Sequence, residues 1–269
     1  MRALLGLAAL LLAGAAPAQA PSSVAAPSLS LWRLDCGRIE DGLAWSSPWH
    51  KASMPVPCFL VRHGSRYLLW DAGLSARALG NAHPTLKLDR TISDQLGQIG
   101  VKPDQIEFVG ISHYHGDHTG QASQFPKARL LIGAADLAAL KASPTPGGAA
   151  PTHLAPWITG GAPVDALVED KDVFGDGRVV VLTTPGHTPG HLALLVKLAG
   201  GNVMLSGDLW ATHGNVLTDD MPPFNTSRAE TEASRERFRR LAHKLDATVI
   251  LQHEINDMAK LPAFPKAAS

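Results

Sequence analysis

Metal-ligating side chains are concentrated in one short segment of this chain, residues 113–118, which reads HYHGDH. The segment holds three imidazoles and one carboxylate within six positions. Neutral imidazole nitrogens and carboxylate oxygens are the ligands that borderline cations such as Zn²⁺ prefer. Packing alone does not account for so many of them side by side, so the segment predicts a metal site that other parts of the chain must complete.

Three later segments end in the same kinds of side chain. His187 follows an apolar run at 179–183, Asp208 follows one at 203–206, and His253 follows one at 248–252. Each run has the length and composition of a buried strand, so the three residues are expected at strand ends along one rim of the fold. The candidate metal ligands are His113, His115, Asp117, His118, His187, Asp208 and His253.

The spacing within the first segment suits two adjacent metals. His113 and His115 are two residues apart, so both can project to the same side where an apolar strand at 106–112 gives way to a loop. We expect Gly116 to let the backbone turn sharply, and Asp117 and His118 to open the helix that follows. The second pair of ligands would then point to a position beside the first pair.

Strands and helices alternate along the rest of the chain. Apolar patterns predict strands at 29–39, 56–62, 66–71, 106–112, 129–132, 179–183, 192–198, 203–206 and 248–252. Capping signals at Thr91 and in the segment TSRAE at 226–230 predict helices, the second running to about Leu245, and residues 134–141 favour a third. A Pro/Gly/Ala-rich stretch at 143–163 is expected to cross the surface as a loop. This order predicts an α/β sandwich of two sheet-and-helix halves with the helices outside.

The order of the motifs resembles that of the metallo-β-lactamase superfamily of metal-dependent hydrolases. HxHxDH at 113–118 is followed by TPGH at 184–187, by GD at 207–208 and by the strand-end His253. The resemblance extends over nearly all of residues 21–269, which we interpret as a single hydrolase domain. It implies an αββα four-layer sandwich with a dinuclear metal site at one edge of the sheets.

The resemblance also implies a role for each ligand. His113, His115 and His187 would hold the first metal, Asp117, His118 and His253 the second, and Asp208 would bridge both. Two divalent cations, expected to be Zn²⁺, would present a bridging hydroxide to the scissile bond. Asp208 and Asp117 would be catalytic, with Asp117 carrying a proton to the leaving oxygen. Asp71 matches a position that hydrogen-bonds behind the site, although an aspartate that only forms a turn remains open.

Several segments are similar to the N-acyl-homoserine lactonase branch, among them MPVPCFLV at 54–61, LWDAG at 69–73 and ILQHE at 250–254. This similarity implies opening of the lactone ring of N-acyl homoserine lactones, a quorum-quenching activity. The branch often has a tyrosine shortly after the bridging aspartate, where this chain reads LWATH at 209–213. We therefore predict that Trp210 and His213 contact the substrate. The alternative, an aromatic residue that covers the core, stays open.

Other functions fit the same ligands. An organophosphate hydrolase of the superfamily keeps all seven, and an exported metallo-β-lactamase shares HxHxDH, although the Asp208 bridge is not the β-lactamase pattern. A zinc-binding interaction domain is the alternative outside the enzymes. It is disfavoured because closed structural zinc sites are usually rich in cysteine, and both cysteines lie outside the motifs. We expect a structural role for His191, and surface or loop positions for His50, His63, His83, His153 and His243.

Residues 1–20 have the form of a secretory signal peptide. Arg2 precedes a short apolar run, and AQA at 18–20 offers a cleavage site. The run is well short of the roughly 20 residues of a spanning helix. We expect a periplasmic or secreted protein without a membrane anchor after cleavage. An oxidising compartment would permit a disulfide between Cys36 and Cys58, but two buried free thiols fit their apolar surroundings as well.

The charge balance favours a small-molecule substrate. The chain has 24 basic and 24 acidic residues, so nothing attracts it to nucleic acid or to an anionic membrane. Arg235 and three further arginines alternate with glutamates and are expected on the solvated face of the last long helix. The apolar residues at 155–158 could line a lipophilic entrance or a subunit contact, and a homodimer is therefore an open expectation.

Overall fold

The computed structural model describes residues 26–41, 53–80 and 82–269, and the strands within them form two sheets. The first sheet contains β1 (Leu29–Ile39), β2 (Met54–His63), β3 (Arg66–Trp70), β4 (Leu86–Lys87), β5 (Ile106–Gly110), β6 (Arg129–Gly133) and β7 (Val164–Leu167), in the spatial order β4-β1-β2-β3-β5-β6-β7. The second contains β8 (Lys171–Asp172), β9 (Val179–Thr183), β10 (Leu192–Leu198), β11 (Gly201–Leu205) and β12 (Thr248–Ile250), in the order β12-β11-β10-β9-β8. Each predicted strand overlaps an observed one, and the short strands β4, β7 and β8 are additional.

The helices are mostly short. They are α1 (Ile92–Gln98), α2 (Gly116–Thr119), α3 (Ala134–Leu140), α4 (Ala155–Ile158), α5 (His213–Thr218) and α6 (Arg228–Lys244). The predicted capping signals are in place: Thr91 Oγ1 accepts a hydrogen bond from Asp94 N at 3.1 Å, and Ser227 Oγ accepts one from Glu230 N at 3.3 Å. Among the described residues, no helix combines the length and hydrophobicity needed to cross a membrane.

Alternation along the strands creates the layers of the fold. In β2, Phe59 packs in the core between the two sheets, whereas Leu60 faces the outer core with α1. In β10, Leu194 packs between the sheets, whereas Leu195 faces the layer that contains Phe238 of α6. Successive side chains of a strand point to opposite faces, so each sheet buries both faces. This arrangement confirms the predicted αββα sandwich.

The stretch 143–163 is more regular than expected. It contains a 3-10 turn, Pro151–Leu154, that leads directly into α4. Trp157 is buried in the outer core of the first sheet, and its Nε1 donates to the Ala128 carbonyl at 2.8 Å. The expectation that 155–158 lines an entrance or a subunit contact is therefore wrong for its largest side chain. A homodimer stays a prediction.

Cys36 and Cys58 form a disulfide between β1 and β2, with Cα atoms 5.7 Å apart. Both residues are fully buried. Of the two arrangements that the sequence left open, the structure contains the disulfide.

Candidate metal centre

The HYHGDH segment follows the C-terminal end of β5 and enters α2. His115 has an extended backbone and Gly116 begins the helix, which directs Asp117 and His118 toward the preceding histidines. Gly116 is not among the glycines with positive φ, and a Cβ added to it would meet no atom closer than 3.8 Å. The expectation that this turn needs a glycine is therefore wrong, because the change from extended to helical backbone makes the turn.

A glycine is required in the TPGH segment instead. Gly186 has φ +135°, and a Cβ there would lie 2.2 Å from the backbone nitrogen of Thr231 in α6. The carbonyl groups of Gly186 and His187 accept hydrogen bonds from Ser227 N at 2.8 Å and Thr226 N at 3.1 Å. The start of α6 thereby fixes the backbone that presents His187.

The first ligand group contains His113, His115, His187 and Asp208, whose candidate ligand atoms lie within 4.8 Å of one another. His115 Nδ1 is 2.8 Å from His113 Nε2 and 3.2 Å from His187 Nε2. Asp208 Oδ2 is 3.7 Å from His113 Nε2 and 3.5 Å from His187 Nε2. These four atoms converge on one point.

The second group contains Asp117, His118 and His253. Asp117 Oδ2 lies 3.6 Å from His118 Nε2 and 3.7 Å from His253 Nε2. Asp208 Oδ1 lies 3.4 Å and 3.1 Å from the same two nitrogens. One oxygen of Asp208 thus faces each group, which is the placement that a bridging ligand requires.

The donor set fits divalent cations. Tetrahedral ligands about 2.0–2.1 Å from a metal lie about 3.3 Å from one another, and the contacts above span 2.8 to 3.7 Å. Nε2 of the fully buried His118 makes no hydrogen bond to any described residue. His253 Nδ1 donates to the Pro55 carbonyl at 2.8 Å, which leaves the lone pair of Nε2 for a metal.

Burial favours the neutral form of the histidines in the first group. Burial lowers the pKa of His113 and of His187 well below the usual value, and it also lowers the pKa of His115. A neutral imidazole is the form that binds a metal ion.

The second group is a site of concentrated negative charge. Burial opposes the charged form of His118, but the carboxylates of Asp208, Asp117 and Asp71 outweigh it and raise the pKa of His118 to about 10. Burial would raise the pKa of Asp208, yet His253 and His118 hold it well below its usual range. The carboxylate of Asp208, held ionised in this way, attracts a cation, and a bound metal ion would take the place of the proton on His118.

Asp71 lies directly behind the ligands. It is fully buried at the end of β3 with φ +58°. Its Oδ1 accepts from Ser112 N at 2.7 Å, and its Oδ2 accepts from Ser112 Oγ at 3.0 Å and from His118 Nδ1 at 2.9 Å. The residue forms a turn and also orients His118, so the two interpretations of the sequence are compatible.

Two further buried residues position the ligands. His191 Nε2 accepts a hydrogen bond from the backbone nitrogen of Asp208 at 2.9 Å, in keeping with the expected structural role. Asp136, which sequence reasoning missed, accepts from Tyr114 N at 3.1 Å, Thr188 Oγ1 at 2.8 Å and Gly190 N at 2.6 Å. It connects the segments on either side of the site. The available signal was a single carboxylate within the apolar run 134–140.

The ligand groups open into a cavity of about 790 Å³ that reaches His115, Asp117, His187, Asp208 and His253. The remaining walls are largely apolar and include Ile39, Met54, Leu74, Leu86 and Phe224. Phe224 is 53 % exposed, and its ring centre lies 5.7 Å from that of His115 and 5.9 Å from that of His187. The cavity can therefore hold an apolar molecule with one polar end at the ligands.

The two predicted substrate contacts have other neighbours. Trp210 borders the cavity, but it is only 3 % exposed and packs against Phe238 with ring centres 6.0 Å apart. His213 is outside the cavity lining, and its Nε2 lies 2.7 Å from Asp257 Oδ1. The surroundings of Trp210 favour the alternative in which it covers the core. A substrate contact for either residue stays a prediction.

Some residues expected at the surface are buried. Arg235 is 2 % exposed and stacks on Trp210 at 5.2 Å, and its Nε donates to the Leu209 carbonyl at 2.6 Å. Burial lowers its pKa to about 10. His63 is also buried and lies 2.7 Å from Asp176. The expectation of exposure is wrong for both residues, because a polar group satisfies each buried side chain: the Leu209 carbonyl for Arg235 and the Asp176 carboxylate for His63. His50 lies outside the described residues.

Comparison with known proteins finds similar chains that are named as lactonases. The N-acyl homoserine lactonase AttM of Rhizobium radiobacter is 28 % identical over 240 residues, covering 79 % of this chain and 87 % of AttM. The N-acyl homoserine lactonase of Bacillus cereus is 25 % identical over 237 residues, covering 82 % and 89 %.

Solved structures show the same fold. An N-acyl homoserine lactone hydrolase with N-hexanoyl-L-homoserine bound at its catalytic metal centre superposes with a TM-score of 0.76 at 21 % identity, covering 91 % of this chain and 100 % of the other. Residues 54–253 match the sequence profile of the metallo-beta-lactamase superfamily. The match includes all seven candidate ligands and most of the chain. The chain belongs to the metallo-beta-lactamase superfamily.

Proposed function

We propose that this protein hydrolyses the ester bond of N-acyl homoserine lactones. It is a hydrolase by its superfamily, and the relatives described above are named for this lactonase activity. The observation that carries the proposal is Asp208, whose two oxygens face two ligand groups at the base of an apolar cavity. Such a site can act on a carbonyl group at the end of an apolar molecule.

Two divalent cations bound there would lower the pKa of a water molecule and polarise the carbonyl oxygen of the ester. The chain supplies the remaining groups. Addition of water to the carbonyl carbon breaks the ring C–O bond, and the leaving oxygen takes up a proton. Asp117 borders the cavity with its side chain 18 % exposed, so its carboxylate can carry that proton to the leaving oxygen.

The cavity walls suit the acyl chain of such a lactone. Met54, Leu74 and Leu86 provide apolar contact, and each buried methylene of a ligand contributes about 0.8 kcal/mol. Phe224, beside His115 and His187, lies where the acyl chain would leave the metal centre.

A substrate panel tests the proposal. N-acyl homoserine lactones of several chain lengths, an aryl phosphotriester and a chromogenic cephalosporin are assayed with Zn²⁺ and with chelator. We expect chelator-sensitive turnover of the lactones and kcat/KM that rises with chain length. Asp208→Asn should lose this activity, whereas Asp104→Asn, the same change at an exposed ion pair with Lys127, should keep it. Turnover of only the cephalosporin or only the phosphotriester would reject the lactonase assignment.

We also propose that the native metal is Zn²⁺. The supporting observation is a set of imidazole and carboxylate ligands with buried, oriented histidines, which Zn²⁺ binds readily. Purified protein should contain about two zinc ions per chain, and Asp208→Asn should contain fewer. Another metal at that stoichiometry would reject zinc, and protein without bound metal would reject the dinuclear site.

Export is a further proposal. The signal-peptide pattern of residues 1–20, which lie outside the described residues, supports it, and so does the disulfide between Cys36 and Cys58, since disulfides persist mainly in oxidising compartments. Expression in a bacterial host should give a periplasmic protein whose first residue is Pro21. Cytoplasmic accumulation of an uncleaved chain would contradict the proposal.

A further inference from the structure

His153 lies in the cavity wall next to the ligand segment. It belongs to the 3-10 turn Pro151–Leu154 and is half-buried. The strand-like contact between His115 and Ala149, and the 3.0 Å hydrogen bond from Gly116 N to the Gly148 carbonyl, hold this wall against the metal ligands. A Cβ on Gly116 would lie 4.0 Å from His153 Cε1. Because Gly116 has no side chain, nothing from that residue separates the imidazole from the ligands.

The hydrogen bonds of Thr119 determine which nitrogen of His153 carries the proton. Thr119 Oγ1 donates its only hydrogen to the His115 carbonyl at 3.1 Å, and it lies 3.0 Å from His153 Nδ1. With the hydroxyl hydrogen assigned to the His115 carbonyl, Oγ1 accepts from Nδ1, and this assignment places the imidazole proton on Nδ1. Burial, with a smaller effect of Arg77, lowers the pKa of His153, so the ring is neutral. Nε2 makes no hydrogen bond to any described residue and remains an acceptor.

We infer that His153 is a specificity-determining residue whose Nε2 accepts a hydrogen bond from the amide N–H of the substrate. The inference rests on the proposed lactonase function and names the group that is recognised. In an N-acyl homoserine lactone one carbon separates the amide nitrogen from the reacting carbonyl carbon, a distance of about 2.5 Å. A carbonyl held at the ligands therefore brings its amide to the neighbouring wall. His153 selects lactones that carry an acylamino group over lactones that carry an alkyl group.

Two substrates and three variants test this inference. The substrates are N-hexanoyl homoserine lactone and a γ-butyrolactone with an alkyl chain of equal length on the same ring carbon, which lacks the N–H. His153→Leu removes the acceptor, and His153→Gln keeps a carbonyl oxygen near the position of Nε2. His243→Leu makes the same change at an exposed residue of α6. The quantity measured is the ratio of kcat/KM for the two substrates, together with zinc content.

The ratio should fall about five- to tenfold in His153→Leu, the factor that one neutral hydrogen bond supplies. It should stay near the wild-type value in His153→Gln and in His243→Leu, with zinc content unchanged in all three. An equal loss on both substrates, or an unchanged ratio in His153→Leu, would overturn the inference while leaving the lactonase function intact. Wild-type protein that turns over neither lactone would overturn the proposed function and this inference together.

Discussion

Replacing Asp71 with asparagine should weaken the proposed metal binding at the second ligand group, which contains Asp117, His118 and His253. An asparagine has one acceptor oxygen, whereas Asp71 uses two: Oδ1 for Ser112 N and Oδ2 for His118 Nδ1. The backbone N–H of Ser112 cannot change, so the oxygen of the amide is expected to stay there. The amide NH₂ then faces His118 Nδ1, and two donors meet. The Nδ1 proton of His118 then has the Ser112 hydroxyl, 3.1 Å away, as its remaining acceptor, and the alternative is that the proton moves to Nε2, the nitrogen that faces the second ligand group.

The expected loss of metal affinity follows from the hydrogen bond between His118 and Asp71 that the substitution removes. The contact between His118 Nδ1 and Asp71 Oδ2 is 2.9 Å long and fully buried, and a hydrogen bond to a charged group contributes about 1.5–3 kcal/mol. Since about 1.4 kcal/mol corresponds to a factor of ten, the second metal should bind roughly 10- to 100-fold more weakly. In other metalloproteins, removing the residue that hydrogen-bonds to a metal-binding histidine typically weakens metal affinity by a similar factor.

The assay is titration of metal-free protein with Zn²⁺ in competition with a chromophoric chelator. Wild-type protein should fit two binding events, and Asp71→Asn should weaken one of them. Asp104→Asn provides the control, because its carboxylate is 66 % exposed and pairs with Lys127. Unchanged affinity at both positions, or an equal loss at both, would refute the argument from the His118 proton.

Three further changes test the packing around the site. Gly186→Ala places a Cβ 2.2 Å from a backbone nitrogen of α6, so it should lower the free energy of unfolding by more than about 2 kcal/mol, whereas Gly116→Ala should leave the thermal midpoint unchanged. Replacement of both Cys36 and Cys58 by alanine should lower the free energy of unfolding in urea by about 3 kcal/mol, because the bond closes a loop with a sequence separation of 22 residues; an unchanged midpoint would contradict this. Burial raises the pKa of Asp136 to about 6, so between about pH 4 and 6 the folded state keeps a proton that the unfolded state has released. The free energy of unfolding should therefore fall by roughly 3 kcal/mol as the pH rises through that window, and Asp136→Asn should lack this slope.

Local patterns predicted most of the fold. The alternation of Phe59 and Leu60 between two cores follows from the period of a strand, and the start of α6 follows from the hydroxyl of Ser227. These signals depend on residues a few positions apart, so one sequence is enough to read them. The positions of short helices were harder to predict, as α4 shows, because burial against a distant sheet stabilises them more than their own propensity does.

The residues whose long-range contacts were not predicted share a different cause. Arg235 sits among charged neighbours in the sequence, yet its Nε reaches the Leu209 carbonyl 26 positions away. His153 has no partner at ligand spacing, but Thr119, 34 positions away, is its hydrogen-bond partner. Asp136 reaches donors up to 54 positions away. Contacts of this separation leave no periodic pattern, so a single sequence does not contain the signal.

The sequence alone determined the superfamily and the chemical types of the ligands, because a metal accepts few donor groups and the motifs keep them in order. Only the tertiary structure decided how these groups are oriented. In the folded chain each oxygen of Asp208 faces one ligand group. Asp71 accepts a hydrogen bond from His118, and Trp210 packs against Phe238 of α6. The tertiary structure also placed His153 in the cavity wall. Orientation depends on hydrogen bonds between segments that meet only after both sheets have packed, and these bonds determine which atom of each side chain faces the cavity.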